Sequence, residues 1–199
     1  DITINSISGK ISDNLTETVE QAEASMVIFE ISKNKPFNNI SYLLKICRKL
    51  RIPYIFVKDN FNEIKFDKVI VPVSFLVEEK ETGPFSSGFG RFLKSEIILM
   101  PANDYGSKAK TNCNAIKILL DKFEIKNQEI KAKKDSYKVE IEAVQSAQQL
   151  EADIAIITAS REYGLDDIFF GSKELHIINK STIPVMVLNP RGDLYVLCW

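Results

Sequence analysis

The stretch Glu151–Pro190, EADIAIITASREYGLDDIFFGSKELHIINKSTIPVMVLNP, reads as one complete crossover unit and decides the fold. Ile154 to Ile157 is a continuous apolar run, as in a strand buried on both faces, and Pro184 to Leu188 is a second. Between them stand a polar loop over 158–167 and a helix opening near Gly171 and Ser172, whose Leu175 and Ile178 share one face. Two buried strands joined by a helix lie parallel, with a right-handed crossover. Ligands of open parallel sheets bind beyond the carboxyl ends of the strands, where loops meet helix N-termini, so a site is expected between Thr158 and Ser172.

Upstream, the alternation continues. Val69 to Val73, Glu96 to Met100 and Gln128 to Lys133 have strand patterns. Ala109 to Phe123 has a helical pattern with Ile116, Leu119, Leu120 and Phe123 on its inner face, and Asp135 and Ser136 are placed to cap a helix reaching Leu150. The segment TGPFSSGFG, Thr82 to Gly90, is rich in glycine and serine but lacks the Gly-Lys-Ser/Thr ending of a phosphate loop. It is expected to form a helix loosened at Gly83 and Pro84, with Phe85, Phe89 and Phe92 turned inward. Strands alternating with helices define an α/β fold: a parallel twisted sheet with helices on both faces, Rossmann-like.

The first residues repeat the last. A strand pattern over Ile2 to Ile7 precedes a helix expected from caps at Ser12 and Asp13 to Ala24, a buried strand at Met26 to Phe29, a helix over Asn39–Leu50 and a strand over Ile52–Val57. Glu23–Phe29 matches Glu151–Ile157 at an offset of 128, and Lys49–Pro53 matches Lys180–Pro184 at an offset of 131. In the first copy Ile40 and Ser41 stand where the second has Gly171 and Ser172, so the first copy is expected to be structural. The charged run 58–68 is a linker in composition.

The features of 67–190 together resemble the universal stress proteins: a strand, a loop, Gly171-Ser172 opening a helix, then Lys180-x-x-Ile183-Pro184-Val185 and a strand. The resemblance implies the strand order 3-2-1-4-5, pairing through fifth strands and, in nucleotide-binding members, an ATP pocket. On that order, residues 1–57 are the second half of a first domain, 69–190 a complete one, and the apolar residues 191–199 a tail that packs on the domain or on a partner. The beginning of the first domain is expected to lie outside this chain or to be supplied by a partner chain. Tyr54–Val57 and Val185–Leu188 are expected to pair across the repeats or between chains, as a tandem or a homo-oligomer.

ATP-binding members carry Gly-x-x-Gly, nine residues, then Gly-Ser or Gly-Thr; here Thr158 and Arg161 stand at the first two glycines, with Ser160 between them. The side chains deny phosphate oxygens close approach to the main chain, and Glu162, Asp166 and Asp167 add like charge. Ser74 replaces the aspartate that usually ends the first strand. A degenerate nucleotide site of Ser74, Thr158, Ser160, Arg161, Gly171 and Ser172 is expected, with no cofactor, no metal and no catalytic residue. The reading is a regulatory or binding module of the stress response that meets an unidentified protein partner; the alternative is an ATP-dependent switch or slow ATPase.

Composition agrees with neither nucleic-acid nor membrane binding: 45% hydrophobic, 27% charged, formal net charge −1. No run is long enough to cross a bilayer as a helix, and DITINSISGK has no export signal, so a cytoplasmic setting is expected. Cys47, Cys113 and Cys198 have no ligand spacing and are expected to be structural thiols; lone His176 is expected to be an ordinary helix residue.

Overall fold

The computed structural model describes residues 10–32, 39–58, 65–160 and 171–191. The expected strand at 2–7, the loop residues Arg161, Glu162, Asp166 and Asp167, Cys198 and the tail beyond Arg191 lie outside them. Among the described residues seven strands form one sheet: β1 (Val27–Ile31), β2 (Tyr54–Lys58), β3 (Lys68–Val73), β4 (Glu96–Pro101), β5 (Asn127–Glu129), β6 (Ile154–Thr158) and β7 (Val185–Leu188). Their order is β1-β2-β7-β6-β3-β4-β5. From β3 to β7 this is the expected 3-2-1-4-5, all parallel, with the other two strands added beyond the fifth.

The addition is antiparallel. Tyr54 faces Val187, Ile55 faces Met186 and Phe56 faces Val185, so the fifth strands pair within this chain. β1 then pairs parallel with β2. Side chains across the seam lock it: Tyr54 Oη donates to Asn189 Oδ1 at 3.0 Å, and Asn189 Nδ2 donates to the carbonyls of Cys47 (2.8 Å) and Leu50 (2.9 Å).

Strand alternation sorts the core onto two faces. Helices α1 (Ile11–Gln21), α2 (Ile40–Cys47), α5 (Val139–Leu150) and α6 (Lys173–Lys180) cover one, over Phe56, Ile70, Ala155, Ile157 and Val185. Helices α3 (Thr82–Gly88) and α4 (Lys108–Lys122) cover the other, over Val69, Val71, Ile97, Ile154 and Ile156. Lys58 Nζ caps the carboxyl end of α6, donating to the carbonyls of Asn179 (3.1 Å) and Ser181 (2.6 Å), where a cation is favoured.

Several local expectations need correction. β1 is not buried on both faces: Met26 and Ile28 are exposed, because no helix covers that side of it among the described residues. Phe89 packs inward, but Phe85 of α3 faces solvent, and so does Phe92, which lies in a π-helical turn over Phe89–Leu93 that shifts its register from an α-helical one. Gly90 is needed in that turn for packing: a Cβ there would meet Ile125 Cγ2 at 2.3 Å. Phe123 also faces outward, beneath the Arg91 guanidinium 4.6 Å from its ring centre. Helix α1 starts after Lys10, with Ser12 and Asp13 inside it, and β5 is shorter than expected. Cys47 and Cys113 are buried, and burial pushes both thiols up to about 12, which fits inert packing groups.

Phe56 stacks on Phe29 with ring centres 5.4 Å apart and is buried in the strand that joins the two parts. Phe56→Ala is expected to cost about 3–5 kcal/mol, read as a lowered urea midpoint in a single transition followed at β1 and at β6. Two separated transitions in the unmutated protein would show that the parts fold independently.

Candidate functional site

The sheet opens at its carboxyl end between β3 and β6. Residues 68, 70 and 72 of β3 face β6: the carbonyl of Lys68 accepts from Asp153 N at 2.8 Å. Pro72 has no N–H to give β6, and the pairing between these strands ends at Ile70 with Ala155. The strands part beyond that point, at the position where chain order reverses and open α/β sheets hold ligands.

The crevice is lined from the chain's own polar groups. After β3 the backbone turns at Ser74 into a 3₁₀ helix, Val77–Glu81, that carries Glu78 and Glu79 inward. Asn112 of α4 holds this turn, donating from Nδ2 to the carbonyls of Ser74 (3.0 Å) and Leu76 (2.7 Å). Ser136 Oγ accepts from Phe75 N at 2.9 Å and donates to Asp104, which also accepts from Ser136 N at 2.9 Å. The turn is therefore anchored from two further strand-end loops. Glu81 receives Arg191 N at 3.0 and 3.1 Å, which ties the chain leaving β7 to the same turn.

Three buried carboxylates meet here: Glu79, Glu140 in the first turn of α5, and Glu174 in the first turn of α6. Ser74 Oγ donates to Glu79 Oε1 at 2.9 Å, and Lys173 Nζ contacts Glu140 Oε1 at 2.8 Å. Burial, reinforced by the charge of Glu140, pushes Glu79 from its usual 4.5 up to about 8, against the pull of Lys173 and Ser74. Glu140 is raised as well, by burial and the nearby Glu174, though Lys173 opposes this. Burial works against the Lys173 charge, yet Glu140 and Glu79 outweigh it and hold the ammonium protonated. One lysine cannot neutralise three desolvated carboxylates, so Glu79 keeps its proton at neutral pH. Thr158 lies near enough to favour the Glu79 carboxylate electrostatically, but Thr158 Oγ1 and Glu79 Oε2 make no hydrogen bond of ordinary geometry, nor does Glu174 Oε2.

The structure thus gathers five of the six expected residues at one end of the sheet, and Arg161 lies outside the described residues. Ser74 and Thr158 adjoin Glu79. Ser160 N donates to the Glu174 carboxylate, and the Ser160 carbonyl accepts from Arg48 Nη2 at 3.4 Å. Gly171 has φ +82°, a left-handed conformation that favours glycine, and Ser172 caps α6 by accepting from Leu175 N at 3.3 Å. His176 is exposed on α6. Missed from sequence were Glu79, Glu140, Lys173 and Glu174. Their one signal was acidic residues in the first turns of two helices and in the run after β3, each just beyond a strand end. Among the described residues no group of His, Cys, Asp and Glu is arranged to hold a metal, and no helix is long and apolar enough to cross a membrane.

Neither family models nor curated proteins match the sequence. Solved structures do match in fold. A universal stress protein from Archaeoglobus fulgidus superposes with a TM-score of 0.65 at 16% identity, over 92% of this chain and 66% of its own. A Pseudomonas aeruginosa protein provisionally assigned to the universal stress proteins gives 0.59 at 11% identity, over 92% of this chain and 69% of its own. A universal stress protein solved with cAMP gives 0.50 at 11% identity, over 63% of this chain and 98% of its own. The chain therefore has the universal stress protein fold, and it spans 66% of the length of the Archaeoglobus protein.

The pH dependence follows from Glu79. Unfolded, it ionises near 4.5; folded, near 8; between these values the folded state holds the extra proton. Its contribution to stability is full below about 4.5 and is lost as pH rises through about 8, and Glu140 acts with the same sign. Each pKa unit is about 1.4 kcal/mol, so the effect is on the order of a few kcal/mol. Urea melts at pH 5 and pH 9 are expected to show Glu79→Gln matching the unmutated protein at the lower pH and exceeding it at the higher. Parallel pH profiles for the two proteins would contradict the assignment.

Proposed function

We propose that this chain is a universal-stress-type regulatory or binding module whose nucleotide pocket is filled by its own side chains, so that it acts without ATP and not as an enzyme. The observation that carries this reading is the Glu174 carboxylate on the Ser160 amide. Loop amides and helix N-termini are what a phosphate group needs. Here the Ser160 amide is taken by Glu174 and the Leu175 amide by Ser172. An incoming triphosphate would have to displace a buried carboxylate and lie beside two more, of which Glu140 is paired to the lysine.

The equal registers of the two parts support a tandem organisation. β1 pairs Val27 with Tyr54 as β6 pairs Ala155 with Val185, and these are the offsets of 128 and 131 found in the sequence. In this reading residues 10–58 are the second half of a first unit whose pairing through β2 and β7 takes the place of a dimer of single units. Its role would be in a cytoplasmic stress response, recognising a protein partner.

The alternative is a nucleotide-dependent switch or slow ATPase. It is favoured by the retained Gly171-Ser172 start of α6 and by the neighbour solved with cAMP. Calorimetric titration with ATP and magnesium, and separately with cAMP, is expected to show no saturable binding below about 1 mM. Binding in the micromolar range, or phosphate release above the buffer rate, would establish the alternative.

A further inference from the structure

On its outer side α5 borders a pocket of about 400 Å³ lined by Lys133, Lys134, Lys138 and Lys180, with Glu142 as the one carboxylate among its described lining residues. All four lysines are exposed, and among the described residues none of their ammonium groups has a hydrogen-bond or ion-pair partner. The formal net charge of the whole chain is −1, so composition does not force these cations together.

Local electrostatics disfavours the arrangement. Lys138 is the N-cap residue of α5, and Glu142 in the first turn accepts from Lys133 N (2.9 and 3.1 Å) and from Lys134 N (2.7 Å), which holds both lysines at the same helix end. A helix start is the positive end of its dipole, where cations are destabilising, and like charges around one concavity repel. Only Lys180, in the last turn of α6, stands where a helix dipole favours it. Glu142 does not relieve the lysine side chains, because its oxygens are engaged by main-chain amides. Asn103 N donates to the Lys134 carbonyl at 2.8 Å, so the lysine-bearing loop is also fixed from the end of β4.

The pocket belongs to one copy of the repeat. Lys138 and Lys180 have lysine counterparts, Lys10 at the offset of 128 and Lys49 at 131. Asn5 and Ser6, however, stand for Lys133 and Lys134, and Asp13 and Glu17 stand for Ile141 and Gln145. The counterpart positions carry two cations against two carboxylates, where the pocket has four against one. The fold alone therefore does not call for the basic pocket.

We propose that this pocket is the docking site for an acidic segment of a partner protein, whose carboxylates pair with the four lysines while its chain passes over half-buried Ile141. Separate carboxylates suit it better than a polyphosphate. Among the described lining residues no arginine is present to clamp a phosphate and no aromatic ring to stack a base, and Glu142 would repel a dense anion. An acidic segment would relieve the repulsion among the lysines and be steered to them by charge. The inference rests on the partner-binding reading and gives that partner its chemistry.

The experiment follows a fluorescein-labelled octaglutamate by anisotropy as it is titrated with the 199-residue chain. Saturable binding is expected with a Kd on the order of 10–100 µM in about 50 mM salt, weakened at least about fivefold in about 300 mM. Lys133→Glu combined with Lys138→Glu is expected to weaken binding at least about tenfold without lowering the urea midpoint, since cations at the start of α5 do not stabilise it. Lys110→Glu combined with Lys122→Glu makes the same charge change on α4, across the sheet, and is expected to leave binding within about twofold. No saturable binding below about 1 mM, or equal loss in both double variants, would overturn the docking site. If ATP titration is silent as well, that result leaves the filled crevice standing. Tripolyphosphate or a thymidine octanucleotide binding more tightly than the peptide, with the same dependence on Lys133 and Lys138, would overturn the acidic segment and assign the pocket to phosphate groups.

Discussion

The antiparallel seam between Tyr54–Phe56 and Val185–Val187 holds the rest of the molecule in place. A fifth strand at the edge of a doubly wound sheet exposes a row of main-chain donors and acceptors, and β7 is apolar on both faces, so an unpaired β7 would be an association hazard. β2 satisfies it. Because the pairing is antiparallel, the first part enters rotated about an axis through the sheet, and both parts keep their helices on common faces. Asn189 then bonds the end of α2, Tyr54 bonds Asn189, and Lys58 caps α6, so the seam also fixes the helices on either side.

The crevice beyond β3 and β6 depends on a single missing donor. Pro72 ends the ladder, the strands separate, and a space forms at the place where open α/β sheets generally hold ligands. This chain fills it with Glu79, Glu140, Glu174 and Lys173. Such a cluster is a poor source of stability, since desolvating carboxylates costs more than one ammonium returns, and two of its oxygens, Glu79 Oε2 and Glu174 Oε2, make no hydrogen bond of ordinary geometry. Burial and the charge of Glu140 hold the Glu79 carboxyl well above its usual range, so the interior of the site is sensitive to pH.

Most of the fold was legible in sequence, because buried parallel strands have continuous apolar runs and the helices between them keep a 3.6 period. The pairing of Tyr54–Phe56 with Val185–Val187 was expected from the family resemblance, across the repeats or between chains, and it forms within this chain. What misled was local: Phe85, Phe92 and Phe123 look like core residues by spacing but are exposed, Phe92 in a π-helical turn and Phe123 at the end of α4. Met26 and Ile28 look like a buried strand because their pattern is that of Ile154 and Ile156, and pattern does not report whether a covering helix is present. At the site, the absence of glycine at Thr158 was legible, whereas the convergence of Glu79, Glu140 and Glu174 was not. Glutamates in first helical turns are usual for the helix dipole, and nothing in their spacing tells that three of them converge.

By itself, then, the sequence determined the periodicities, the chain order of strands and helices, and the absence of glycine at positions 158 and 161, since each is set by local backbone and side-chain chemistry. Only the tertiary structure decided that the two parts share one sheet and that three carboxylates and a lysine occupy its mouth. It alone decided, too, that among the described residues one face of β1 is exposed at Ile28. These depend on which segments, distant in the chain, pair through hydrogen bonds and exclude water from one another, and no local pattern encodes that.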